Sequence, residues 1–250
     1  MEKEFQEKCN IYRESLKPKW EGFNWKETPR SKNLKRPVFF KKYFSETIID
    51  LSNVKVAIEN HTLMDSIHSR RSIRKYEDKP ITFEEFSYLV KNTCKTIRIS
   101  EDKALSLGVI PTPGAIKSIE TYIYVNNVEH MKSGIYHYNL VDNKLYLIKN
   151  NVELKTVSEA LRNQTKNYPL AFFWTTTPAR TEYKYGYLSH KMIAMEAGHT
   201  CQNLYLSCTC LDLGTVAIGA YSQKCCDNLL DIDGVDEFTI YTATVGYPKE

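Results

Sequence analysis

The sequence has no apolar run long enough to span a membrane, and its first residues, Met-Glu-Lys-Glu-Phe, are charged where a secretory leader would be apolar. A reducing, cytoplasmic compartment is therefore expected. No two of the seven cysteines (Cys9, Cys94, Cys201, Cys208, Cys210, Cys225, Cys226) show Cys-x-x-Cys spacing. An odd count in this setting is no disulfide framework. Adjacent Cys225 and Cys226 have no histidine close by to complete a metal pattern, so buried or incidental thiols are expected and no metal. Repeats and low-complexity stretches are missing too, as is the G-x-G-x-x-G dinucleotide fingerprint. The net charge of +4 arises wholly in residues 1–60, which hold 13 Lys/Arg against 9 Asp/Glu, while residues 61–250 carry 21 of each. Mixed signs without a long basic run describe a solvated face, which leaves a nucleic-acid function little support.

What is present is the ordinary composition of a globular chain, with 250 residues to bury a core. Residues 1–60 read as a short helix and an extended arm interrupted by Pro18, Pro29 and Pro37, and residues 61–250 as the folded domain. Thr62 can cap a short helix over 62–69, with Leu63, Ile67 and the stem of Arg70 on one side. Thr82, followed by Glu84 and Glu85, starts another whose apolar stripe is Phe83, Phe86, Leu89 and Val90. Strands are expected over 120–125, 135–138, 145–148, 171–177 and 239–245, and a helix over 152–161. The longest helix is expected over 189–213, closed by Gly214, and is too apolar to face water on any side. This order of elements indicates an α+β fold.

Several segments carry chemistry. Ser69-Arg70-Arg71-Ser72-Ile73-Arg74 places three forked guanidiniums beside hydroxyls. It is either plain basic surface or a site for a phosphate and the polar edge of a heterocycle. Pro111-Thr112-Pro113-Gly114-Ala115 is a turn that could bring backbone close to a ligand, or simply a loop feeding the strand 119–125 that precedes Gly134-Ile135-Tyr136-His137-Tyr138. On the long helix, Glu196, His199, Gln202 and Asn203 recur at three- and four-residue spacing and are expected to share a face. Glu196 and His199 read as a buried hydrogen-bonding pair rather than metal ligands. Ala217, Gly219 and Ala220 are small enough to let amides approach a flat ring, although a helix cap followed by a buried strand explains them equally well. Lys184 and Tyr185, adjacent in Arg180-Thr181-Glu182-Tyr183-Lys184-Tyr185-Gly186, would ordinarily be surface.

Taken in order, these segments resemble the nitroreductase superfamily, and within it the SagB-type dehydrogenases that oxidise azoline rings to azoles in modified peptides. The Arg-Arg-Ser-x-Arg run is similar to the superfamily's flavin signature. The Pro-Thr-x-Gly-Ala loop, the Gly-x-Tyr-His-Tyr strand and the Glu-x-Gly-His-x-x-Gln-Asn-Leu helix are SagB-like, with Thr112 where the family usually has Ser. The resemblance spans about residues 20–250. It implies an antiparallel-rich sheet flanked by helices, an intertwined homodimer and bound FMN. Arg70, Ser72 and Arg74 would hold the phosphate and ribityl chain, and Arg71 the pyrimidine side. Pro111, Thr112, Gly114 and Ala115 would lie near the ring, and backbone at Ile218, Gly219 and Ala220 would face flavin N5 and O4. Tyr247 stands where a basic residue is common, which leaves Lys249 as the substitute phosphate contact. Lys184 and Tyr185 match a Lys-Tyr pair of azole-forming members and are the expected catalytic residues; which of them is the base stays open. The implied partners are a peptide substrate and a cyclodehydratase. An NAD(P)H-dependent nitro or quinone reductase is the enzymatic alternative, and an FMN-binding scaffold subunit of a peptide-modifying complex is the other.

Overall fold

A computed structural model of the chain describes residues 2–17, 19–56 and 62–249; Pro18 and the arm–domain division expected at residue 60 lie outside the described residues. The arm comprises a helix α1 (Glu2–Glu14), a 3-10 turn at Trp25–Glu27 and extended chain ending in a strand β1 (Ile48–Asp50). There follow α2 (Leu63–Ser69), α3 (Phe83–Cys94) and a small hairpin of β2 (Thr96–Ile99) and β3 (Ser106–Gly108). Next come β4 (Ile119–Val125), β5 (Gly134–Asn139), β6 (Lys144–Asn150), α4 (Leu154–Ala160) and β7 (Leu170–Thr176). The chain ends with α5 (Ala179–Tyr185), α6 (Ser189–Thr209), β8 (Gly214–Ile218), α7 (Gln223–Leu229) and β9 (Phe238–Gly246).

Both expected helix starts are capping boxes. Thr62 Oγ1 accepts from Asp65 N at 3.1 Å while the Asp65 carboxylate accepts from Thr62 N at 3.0 Å, and Thr82 and Glu85 repeat the exchange at 3.2 and 2.8 Å. Seven strands form one sheet, ordered β1-β6-β5-β4-β7-β9-β8, antiparallel at every junction. Ile119, Ile123, Phe172 and Trp174 project to one face, where α3 and α6 add Leu89, Val90, Ala197 and Leu204. Tyr122, Tyr124, Ala171 and Phe173 project to the other, against Val157 of α4 and Leu229 of α7. Because both faces are covered, β4 and β7 are buried at every position.

Several readings of the long helix need correction. It ends at Thr209, because Asp212 takes φ 54° and Leu213 N donates back to Cys208 O at 2.9 Å. Gly214 is then the first residue of β8 rather than a cap. It must be glycine because a Cβ there would lie 2.7 Å from Cβ of Ile73, where the arginine-rich segment crosses the strand. The polar residues of α6 do not share a face. Glu196 accepts from Ser118 Oγ at 2.9 Å and Asn203 donates to Asn92 O at 3.0 Å, both inward and two turns apart. His199 and Gln202 lie exposed with Ala194, Met195 and Gly198, so one side of α6 does face solvent in the single chain, and Glu196 pairs with Ser118 instead of His199.

Candidate active site

The Lys184–Tyr185 pair sits at the carboxyl end of α5, whose turn is closed by Gly186 at φ 51°. It meets the loop of residues 111–115 head on. A Cβ on Gly114 would lie 2.2 Å from Tyr185 Oη and 2.6 Å from Lys184 Nζ, so both polar tips converge on this one backbone position. The loop holds its shape through two consecutive residues with positive φ, Gly114 at 56° and Ala115 at 61°. Pro113 opens the short turn and Ala115 N donates to Thr112 O at 3.2 Å. Gly114 and Pro111 are exposed, whereas Thr112, Lys184 and Tyr185 are half-buried. The Lys184 ammonium also stands 4.9 Å from the centre of the Tyr185 ring.

What fixes α5 is a buried ion cluster that the sequence reading did not pick out. Arg180, on the inner side of this short helix, places Nη2 2.6 Å from Glu120 Oε1, and the other Glu120 oxygen lies 2.9 Å from His137 Nε2. All three are about 1% exposed. Burial pushes the Glu120 carboxyl up, but Arg180 and His137 outweigh it and bring it down to about 2. Arg180 Nε also donates to Val38 O at 3.0 Å, tying the arm to α5. Beyond the cluster, Glu237 accepts from Tyr122 Oη at 2.9 Å and Thr175 Oγ1 at 2.6 Å and is paired with Lys41. The one signal available in sequence was a glutamate and a histidine inside otherwise apolar strands, since charges there require partners.

The arginine-rich segment forms a second group. Ser72 pairs with Thr215 of β8, and Ile73 N donates to Thr215 O at 3.0 Å. The Ser72 hydroxyl lies 2.9 Å from Tyr205 Oη, which also accepts from Ala217 N at 2.9 Å, and the Arg70 guanidinium stacks over the Tyr205 ring at 5.2 Å. Tyr205 is thus the hub joining segment, helix and strand, and it is hidden in sequence among the apolar residues of α6. Arg71 donates to the carbonyls of His68 and Arg70, both at 2.9 Å, and lines a recess of about 220 Å³ with Ile73, Thr215 and Pro248. Arg71 and Arg74 are exposed. At the far end of β8, Ile218 is buried and Gly219 and Ala220 are exposed, with no atom within 4 Å of where a Gly219 Cβ would stand.

The carboxyl end returns to this group. Lys249 N donates to Lys75 O at 3.0 Å and Pro248 bridges Tyr76, which sets Lys249 alongside the arginine run. Tyr247 points elsewhere: its hydroxyl donates to the Glu85 carboxylate at 2.7 Å and Lys79 Nζ stands 3.6 Å from its ring centre. The structure therefore gathers Lys184, Tyr185 and Gly114 in one place and Arg70–Arg74, β8 and Lys249 in another. Among the described residues the two groups share no hydrogen bond, ion pair or ring contact. Nor do any three His, Cys, Asp or Glu side chains among them gather as metal ligands.

Comparison with known proteins agrees with this architecture. The profile described as the Nitroreductase family matches residues 67–247. A protein of Methanocaldococcus jannaschii whose name places it among the nitroreductases is 27% identical over 191 residues, 76% of this chain and 92% of its own length. A solved structure from Anabaena variabilis, also described as a nitroreductase, superposes with TM-score 0.68 at 26% identity; it covers 81% of this chain, which spans only 42% of it. A chain of the E. coli microcin synthetase McbBCD complex with truncated pro-MccB17 bound has the same fold, at TM-score 0.62 and 18% identity, covering 81% of this chain and 78% of that one. So does an FMN-dependent nitroreductase of Clostridium difficile, at TM-score 0.51 and 14% identity, covering 75% and 88%.

Proposed function

The chain belongs to the nitroreductase family, and from that premise we propose that it is an FMN-dependent oxidoreductase that dehydrogenates azolines to azoles in a ribosomally made peptide. The convergence of Lys184 Nζ and Tyr185 Oη on Gly114 is the observation that carries this reading. Two proton-handling side chains aimed at one bare backbone position are what removal of a proton from carbon needs. A nitro or quinone reductase has no such requirement.

The residues present fit FMN. An exposed arginine run lies against β8, and at the end of that strand Gly219 leaves open space on which a flat ring could rest. Arg70, Ser72, Arg74 and Lys249 would hold the phosphate and ribityl chain, and Arg71 the pyrimidine edge. Pro111, Thr112, Gly114 and Ala115 would border the ring, and amides of Ile218, Gly219 and Ala220 would face its N5 and O4. FMN, when bound, supplies the hydride acceptor. Lys184 and Tyr185 then take the carbon-bound proton as the ring aromatises, and Gly114 leaves them room to reach it. Since the two groups of residues do not touch within one chain, a homodimer completes each site from both copies. A peptide substrate and a partner cyclodehydratase that forms the azoline belong to the same reading, and the fold shared with a chain of a peptide-bound microcin synthetase supports them.

Lys184→Ala and Tyr185→Phe should keep FMN and the oligomer while azoline oxidation falls about a hundredfold, the scale of a lost acid–base group. The double variant should be scarcely worse than the weaker single. Mass spectrometry of an azoline peptide reads the result directly, as loss of two hydrogens. Wild-type rates in both variants would instead favour an NAD(P)H-dependent nitro or quinone reductase, the reading supported by the name of the Methanocaldococcus relative.

A further inference from the structure

We propose that the aromatic knot of the amino-terminal arm, Trp20, Phe23 and Trp25, is a wall of the active site that positions the Tyr185 phenol over Gly114. The inference rests on the reading of Lys184 and Tyr185 given above and adds positioning residues to it.

Trp20 and Trp25 stack on each other at 5.8 Å with their planes 23° apart. Each then meets the Tyr185 ring edge-on, Trp20 at 6.4 Å and 86° and Trp25 at 6.1 Å and 66°. Phe23 braces the pair from behind, 5.0 Å from Trp25 and 5.5 Å from Tyr187. The arm is itself fastened at this place. Asn24 caps the turn by accepting from Lys26 N at 3.1 Å, and the buried Thr28 donates to Trp25 O at 3.0 Å. Arg30 N donates to Tyr183 O at 2.9 Å, at the residue just before the reactive pair, and Tyr183 Oη donates to Leu34 O at 3.3 Å.

A tyrosine ring has two torsions to fix, and α5 ends at Tyr185 itself, so the helix cannot fix them. Besides the Lys184 ammonium, 4.9 Å from the ring centre, the ring contacts of Tyr185 among the described residues are those with Trp20 and Trp25. They leave the phenol pointing at Gly114, and edge-to-face geometry is the arrangement that aromatic quadrupoles favour. A reacting group displaced by about 1 Å can lose a hundredfold in rate. The arm is therefore part of the catalytic unit rather than a basic strap on its surface.

The test uses full-length protein loaded with FMN, as Trp25→Ala, Trp25→Phe and Tyr185→Phe. With 3-fluorotyrosine incorporated, the ¹⁹F line missing from Tyr185→Phe identifies Tyr185. Trp25→Ala should move that line toward the position of free fluorotyrosine, and Trp25→Phe, which keeps a ring edge, should largely restore it. Azoline oxidation by Trp25→Ala should fall at least about tenfold in kcat with KM little changed, and combining it with Tyr185→Phe should add almost nothing. Trp25 is 48% exposed, so the substitution leaves the core intact. A Tyr185 line that stays in place in Trp25→Ala overturns the proposal, as does a line that moves without loss of turnover when Tyr185→Phe is itself impaired. If Tyr185→Phe itself turns over at the wild-type rate, the acid–base reading fails, and the ¹⁹F line alone still decides whether the arm holds the ring.

Discussion

At Gly114 two independent demands fall on one residue. Its φ of 56° is a conformation that costs a residue with a Cβ about 1–2 kcal/mol. The missing Cβ is also what admits the Tyr185 hydroxyl and the Lys184 ammonium, which would otherwise stand 2.2 and 2.6 Å from it. The lysine tip can swing aside, but the tyrosine ring lies against the stacked pair of Trp20 and Trp25 and cannot yield as cheaply. Gly114→Ala should therefore fold, with a melting temperature lowered by a few degrees, and should lose azoline oxidation to nearly the extent of Tyr185→Phe while retaining flavin. Full activity in that variant would mean that the observed convergence is not the working geometry. The sequence disclosed the glycine, the lysine and the tyrosine as separate motif members. It could not disclose that they meet, because 69 residues and four strands of the sheet lie between Gly114 and Lys184.

The elements that were legible are those whose inward face is apolar. α3 shows its stripe of Phe86, Leu89 and Val90, and β7 is a run of apolar and β-branched residues. α5 was not legible as a helix, because its buried residues are Arg180, Thr181 and Tyr183, which leave no apolar period to detect. α7 fails for a similar reason: its buried Asp227 accepts from Thr239 N and Oγ1, both at 2.8 Å, in place of an apolar contact. The β2–β3 hairpin stands apart from the main sheet with Ile97 and Leu107 exposed, so burial imposes no alternation on it. The Glu120–His137–Arg180 cluster joins three elements, and no spacing along the chain announces such a meeting. α6 is tied to the approach to β4 through Glu196 and Ser118, and this tie has a pH signature. Burial raises the Glu196 carboxyl above its ordinary value of 4.5, against smaller opposing effects of Lys117 and Ser118. A carboxyl raised in the fold contributes stability that is full below its unfolded value and is lost as pH rises through the folded one, with a slope of up to about 1.4 kcal/mol per pH unit. Glu196→Gln keeps an oxygen for Ser118 and does not ionise. Its melting temperature should gain on the wild type as pH rises from 5 to 8, and a difference that stays flat would show that Glu196 does not titrate in this range.

For the molecule as a whole, apolar side chains stand in water on two helices, α2 and α6. α2 turns Ser66 inward, 3.1 Å from Cys210 Sγ, and leaves Leu63 and Ile67, which read as part of its apolar side, 66% and 46% exposed, with Met64 beside them at 58%. Met195, at 51%, lies on the α6 side that also shows Ala194 and Gly198. Exposed apolar side chains mark faces that a partner can cover, and beside Met195 the small Ala194 and Gly198 would let a second helix approach closely. The site supplies a separate reason for a partner, since the arginine run and the Lys184–Tyr185 pair do not meet within one chain. Both arguments predict a homodimer whose formation and flavin retention are coupled. Sedimentation of the purified protein should give a dimer carrying bound FMN. Met195→Glu, which places a charge where the two copies would pack, should give folded monomers that lose flavin on dilution, because each site then keeps only one of its two halves. Circular dichroism unchanged from wild type would show that the variant still folds. A wild-type protein that sediments as a flavin-loaded monomer would remove the dimer from the mechanism. A Met195→Glu protein that remains dimeric and yellow would place the interface on another face of the chain.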